Sequence, residues 1–227
     1  MDALTQPELT AIFLSLKIGA ASVVVSLPFG FALAYMLARK DFVLKPVVSG
    51  AIMLPLVLPP VVTGYVLLLG FGRSGVIGAA LYDWFGITLA FKWTGAALAA
   101  AVMGLPLMVT SIRLSLESVD RRLETAARSL GAGPWRAFFT ITLPLALPGV
   151  VAGAVLAFAR SVGEFGATIT FVSNIPGETQ TLPIAIYTFL QSPGGDDNAL
   201  RLSLFAIGLS LGAIITSEIL NHRIRRD

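Results

Sequence analysis

The chain has 227 residues, of which 56% are hydrophobic and 13% charged, with a mean hydropathy of +0.83. Soluble domains are about 45–50% apolar and about 25% charged, so both departures exclude an ordinary soluble domain and point to a membrane protein. There is no cysteine and one histidine, His222, in a basic tail beside Arg223; thiol and zinc chemistry have nothing to work with, and a net charge of +3 scattered between oily segments does not indicate a nucleic-acid partner.

The opening stretch, MDALTQPELT, is acidic and polar. A cleavable signal peptide starts with positive charge, so the first apolar segment is expected to stay in place as a span. About 20 mostly apolar residues cross a bilayer core. Segments at 11–37, 47–71, 94–112, 145–171 and 202–220 meet that length. The first carries Lys17 near its start, where a long stem can reach the interface. The second carries Pro55, Pro59 and Pro60, so it is expected to kink or unwind locally. That bend either fits the helix to its bundle or lines a pathway. Downstream, GFGRSGV at 70–76 has glycines but no Lys-Ser to follow, so it is not a phosphate-binding loop.

Charge sets the orientation. Arg39, Lys40 and Lys45 lie between spans one and two. Arg113, Arg121, Arg122, Arg128 and Arg136 lie between spans three and four, and Arg223, Arg225 and Arg226 in the tail. Cytoplasmic loops carry the excess of Lys and Arg, which places the N-terminus outside and the C-terminus inside. An odd number of spans requires the same. Tyr82, Trp84 and Trp93 flank the outer end of span three, as interfacial aromatics do. The expected fold is an all-α integral membrane protein of about five transmembrane helices, forming one domain over 1–227.

Residues 116–144 read as a cytoplasmic helix–turn–helix. Leu116, Val119, Leu123, Ala126, Ala127 and Leu130 fall on one helical face. Asp120 suits an N-cap, and Glu124 with Arg128 forms an i,i+4 pair. Gly131 suits the left-handed position after a helix, and Pro134 the first turn of a second one, PWRAFFTITL. Taken alone, such a hairpin could equally lie on lipid headgroups.

Span four carries Gly149, Gly153, Ala157 and Ser161 at every fourth position, a row that lets another backbone approach; Gly208 and Gly212 form a similar pair in span five. Either packing within the subunit or a face for a second copy would use such rows. Arg160 and Glu164, one turn apart near the outer side of span four, are costly at membrane depth. They either pair structurally, or Arg160 lends positive potential to an anion path while Glu164 holds it. Gly163, Gly166, Pro176, Gly177, Pro183 and SPGGDDN then interrupt regular helix, as a re-entrant or gating segment would. The sequence offers no paired broken-helix repeat of the kind self-sufficient transporters use. Nor does it offer the carboxylate pairs or metal ligands of a membrane enzyme.

From Ala126-Ala127 through Gly131 to Ile141-Thr142-Leu143-Pro144, the hairpin resembles the EAA loop of ABC-importer permeases. The family's glutamate position holds Thr125, with Glu124 one place earlier. The resemblance implies the type I importer permease fold. It also implies ATPase-coupling positions at Glu124, Thr125, Ala126, Ala127, Gly131, Ile141, Leu143 and Pro144. Two copies would form the pathway, with two cytoplasmic ATPase subunits that carry the ATP and Mg2+ below and an extracytoplasmic oxyanion-binding protein above. This chain would bind no cofactor and catalyse nothing itself. GEFGATITFVSNIPGETQTLP, from Gly163, is similar to molybdate-type permeases, while sulfate-type permeases share only GEFGA. The implied cargo is a tetrahedral oxyanion, molybdate or tungstate ahead of sulfate or thiosulfate, crossing the cell inner membrane. The candidate path residues are Arg160, Glu164, Pro59 and Pro60. Labelling of residues 116–140 is expected from the cytoplasmic side alone; reaction from outside would overturn the orientation.

Overall fold

The computed structural model describes residues 4–224, and over that range the chain is all-helical. Asp2, Arg225 and Arg226, and the side chains of His222 and Arg223, lie outside the described residues. The long helices are α1 (Gln6–Arg39), α5 (Trp93–Ser118), α8 (Leu143–Val162) and α11 (Asp196–Ile224). Each is long and apolar enough to cross a membrane. The fifth expected span is two helices, α2 (Lys45–Val57) and α3 (Pro60–Phe71), bent by 113°. The reason is local. Pro59 and Pro60 supply no N–H for the carbonyls a turn earlier, and each disfavours helix in the residue before it. Leu58 and Pro59 accordingly take extended backbone.

Span four differs from expectation at both ends. At its start, α7 (Pro134–Ala137) and a π-turn (Phe138–Thr142) run directly into α8, giving 29 continuous helical residues. The second arm of the hairpin is therefore the first part of the span. Pro144 has no N–H for the Thr140 carbonyl, and the wider π-turn, with Leu143 N–H on the Phe138 carbonyl, carries the chain past the missing bond. At its far end, α8 stops at Gly163, and α9 (Gly166–Val172) begins after a short break. The hairpin's first arm is also divided: Leu116 lies in the last turn of α5, which ends at Ser118, and α6 (Arg121–Ser129) starts afresh after Asp120. Two short helices complete the chain, α4 (Val76–Phe85) and α10 (Leu182–Leu190).

The core lies where α5 packs between α1 and α8. Ala96, Ala99, Ala100, Met103, Met108, Val109 and Ile112 of α5 are all buried. The row Gly149, Gly153, Ala157 and Ser161 is buried too, and it works inside the subunit. A Cβ on Gly153 would stand 2.9 Å from the Met108 carbonyl oxygen, and one on Gly104 3.2 Å from Ala157 Cβ. Ser161 accepts from Ser22 Oγ of α1 at 3.1 Å. Gly208 and Gly212 face open space. The exposed apolar surface includes Phe13, Val24, Phe29, Val57, Leu69, Leu204 and Ile215, as a lipid-facing bundle requires.

The two ends of the bundle are distinct. At one, Arg39, ending α1, meets α6. At the other, Glu8 of α1 accepts from Arg201 Nη2 of α11 at 2.7 Å, and Lys17 Nζ sits 3.7 Å from the centre of the Trp93 ring. Gly153→Val is expected to force α5 and α8 apart and cost about 1–3 kcal/mol, lowering the melting temperature in detergent. Gly50→Ala, at a site open on all sides, is expected to leave it unchanged.

Candidate functional site

The coupling candidates occupy the Arg-rich end. Asp120 caps α6 as expected, its Oδ1 accepting the Arg122 N–H at 2.9 Å. The helix closes on Gly131 at φ +90°. Gly131 N–H donates to the Arg128 carbonyl and Ala132 N–H to the Ala127 carbonyl, both at 3.0 Å. Those two bonds define a Schellman closure, which needs a residue at ease in the left-handed region. Gly133 then caps α7, and Pro134 opens it.

Glu124 departs from its expected partner. Its Oε1 accepts from Arg39 Nη2 at 3.0 Å and from Thr142 Oγ1 at 2.6 Å, rather than pairing with Arg128 along the helix. Thr125 stays local, donating from Oγ1 to the Arg121 carbonyl. Ala126 is exposed and Ala127 half-buried. Ile141, in the π-turn, and Leu143, opening α8, are half-buried, and Pro144 is exposed. Around them, Leu123, Leu130, Trp135 and Phe139 stand open, Leu130 at 90% exposure. Phe138 turns inward instead, edge-on to Phe31 and Tyr35 of α1. The polar helix and the turn that follows it thus carry an uncovered apolar patch at this end.

The path candidates converge inside the bundle. Arg160 lies in the last turn of α8, while Glu164 lies in the break beyond it rather than in the helix. Arg160 Nη1 is 2.5 Å from Glu164 Oε2, so the expected ion pair forms. The other oxygen, Oε1, accepts the Ala167 N–H at 2.8 Å and closes the first turn of α9. Glu164 is 2% exposed and Arg160 26%, so the cation keeps the more open position. The α2–α3 break comes to the same place. A Cβ on Gly166 would lie 2.7 Å from Pro60 Cβ, and one on Gly64 2.9 Å from Ala167 Cα. Two interrupted helices thus meet back to back; the sequence offered both interruptions, at the prolines and at Gly163 and Gly166, but not their packing against each other.

Other polar residues that organise this region went unread. Glu178 accepts the Trp93 N–H at 3.3 Å and caps α5. Ser15 of α1 accepts the Leu182 N–H at 2.7 Å, ahead of α10. Thr179 accepts from Ile175 N–H and donates to the Ser173 carbonyl, fixing the turn between α9 and α10. Glu178 and Ser15 act on partners 85 and 167 residues away, so no local pattern marks them.

Spanning helices, polar interruptions packed together within them, and an exposed hairpin at one end make this a membrane permease subunit. Residues 26–226 match the binding-protein-dependent transport system inner membrane component family, and the chain belongs to that family. It is 60% identical over 224 residues to the molybdenum transport system permease protein ModB of Escherichia coli strain K12, covering 99% of this chain and 97% of that one. With ModB of Haemophilus influenzae the identity is 58% over 219 residues, covering 96% of each. Among solved structures, a bacterial ABC transporter that imports the acidic polysaccharide alginate superposes with a TM-score of 0.75 at 18% identity, over 97% of this chain and 81% of that one. The inward-facing MetNI methionine ABC transporter gives 0.69 at 18% identity, over 97% and 99%. The fold is that of ABC importer permeases, in a multi-pass inner-membrane protein.

Removing Arg160 would leave the buried Glu164 carboxylate without its ion-pair partner. Arg160→Ala is expected to cost about 2–3 kcal/mol, the low side for a buried pair because Arg160 is partly exposed. Adding Glu164→Gln, which still accepts from Ala167, should restore most of the melting temperature. Equal losses in both variants would show that the unpartnered carboxylate is not the cause.

Proposed function

We infer that the chain is the permease subunit of an ATP-driven importer of molybdate, and that tungstate shares its path. The observation that carries this is the 60% identity to a molybdenum permease across 99% of the chain. The stretch GEFGATITFVSNIPGETQTLP supports the same cargo, and the sequence carries no phosphate-binding loop, which supports an ATPase on a separate subunit.

In this reading two copies enclose the pathway. A cytoplasmic ATPase docks on each hairpin, covering Leu123, Leu130 and Trp135. ATP and Mg2+ reside on those ATPases, and this chain performs no catalysis. An extracytoplasmic binding protein delivers the anion to the opposite end. That orientation puts the Arg-rich end in the cytoplasm, with the N-terminus outside. The shape of the hairpin supports docking, because the Schellman closure at Gly131 and the cap at Asp120 fix both ends of α6.

Transport chemistry follows from the convergent breaks. Arg160 supplies positive potential beside an anion path, and Glu164 holds the guanidinium while drawing off part of its charge. Cargo is then attracted without being trapped, since conduction needs release as well as entry. Pro59 and Pro60 hold the second interruption against α9, which gives the path two edges that can part.

The packed pair of breaks is also a feature of self-sufficient secondary transporters. Reconstitution with the ATPase and binding protein separates the two. Uptake of labelled molybdate and tungstate is expected to need ATP and both partners, with sulfate taken up far less. Uptake that survives ATP depletion would favour the self-sufficient reading, and preference for sulfate would move the cargo to the sulfate or thiosulfate class. In the same preparation Gly131→Val is expected to insert normally yet retain about tenfold less ATPase, through loss of the left-handed closure.

A further inference from the structure

Glu124 is the hairpin residue that turns away from the open face. Its carboxylate reaches two elements distant from each other in sequence, the last residue of α1 and the last residue of the π-turn. The Arg39 side chain is 9% exposed and that of Glu124 18%, and Thr142 is fully buried. One turn back along α6, Arg121 Nη2 donates to the Ala38 carbonyl at 3.2 Å. That carbonyl is one of those the end of α1 leaves without a helical partner. The apolar side chains of α6 and of its C-cap contribute little to this attachment, because Leu123 and Leu130 are exposed. The helix is fastened to the bundle by polar bonds.

We propose that Glu124, with Arg39 and Thr142, is the junction through which displacement of α6 passes into α1 and α8. It acts as a positioning residue for coupling and makes no contact with the ATPase. The inference rests on the hairpin's reading as the ATPase-docking element. The chemistry favours an inward role. A carboxylate oxygen held by a guanidinium and a hydroxyl within 3.0 Å is already engaged inward, and charge-assisted bonds resist displacement more than neutral ones. Freed from its partner, Arg39 would be a largely buried charge without compensation. Apolar contact alone lets surfaces slide, whereas one oxygen shared by two donors fixes α6 against both membrane helices at once.

The test uses the whole complex of permease, ATPase and binding protein in liposomes. Molybdate uptake and phosphate release are measured in the same vesicles, and the ATPase retained through purification is measured beside them. Glu124→Gln is expected to keep the ATPase at the wild-type ratio while uptake per ATP falls about three- to tenfold. The reversed pair, Arg39→Glu with Glu124→Arg, is expected to recover most of that ratio, and each reversal alone to lower it further. Loss of retained ATPase without recovery in the reversed pair would place Glu124 on the ATPase surface and overturn the proposal. An unchanged ratio of uptake to hydrolysis would overturn it too. Should Glu124→Gln fail to accumulate, Thr142→Val removes one donor and leaves the ion pair. The same fall at smaller magnitude supports the junction, and no change refutes it. A wild-type chain that retains no ATPase would instead refute the functional reading.

Discussion

Helix α5 can occupy the centre of this bundle because its neighbours present almost no side chain where it comes closest. Gly153 lies over the Met108 carbonyl, Gly104 faces Ala157, and Gly30 makes room for the Met108 sulfur. Between spans there is little hydrophobic drive, since lipid tails are as apolar as leucine; dispersion at short range has to supply the cohesion. Everything else is arranged around that contact. The polar hydroxyls at Ser22 and Ser161 are paired with each other inside it. The hairpin hangs from one end of α5 and α8, and the interrupted helices fill the space toward the other.

The interruptions follow a second rule. Backbone groups released inside an apolar bundle have to be satisfied by protein. Glu164 does this at the start of α9, and Glu178 does it at the start of α5. Each carboxylate therefore has structural work besides any electrostatic part in anion passage. The same economy joins Glu8 to Arg201, which ties the beginnings of α1 and α11 together.

What the sequence made legible was what is written locally. Asp120, Gly131 and Pro134 announce a cap, a closure and a restart within a few residues, and each performs that task in the fold. The doubled proline announced a break, although nothing local gives its 113° angle, which depends on how α3 meets α9 through Gly64 and Gly166. The break after Val162 was readable from Gly163 and Gly166, yet not its packing against the doubled proline. The Arg160–Glu164 pair was readable at four residues' spacing, yet not that Glu164 had already left the helix. Least legible was Glu124. An i,i+4 partner was available in Arg128, while the true ones stand 85 and 18 residues away and are set by tertiary packing.

The unbroken run from Pro134 to Val162 has a mechanical meaning. At 1.5 Å per residue it is a beam of about 43 Å. Near its middle it rests on α5 through Gly149 and Gly153, where bare backbone lets it pivot with few side chains to climb over. About 5° of tilt at such a fulcrum swings each end by about 2 Å in opposite senses. A small push beneath Trp135 would thus arrive at Arg160 reversed in direction and reduced to roughly half to three-quarters of its size, because Arg160 lies nearer the fulcrum, with the π-turn as the one place where the beam can yield.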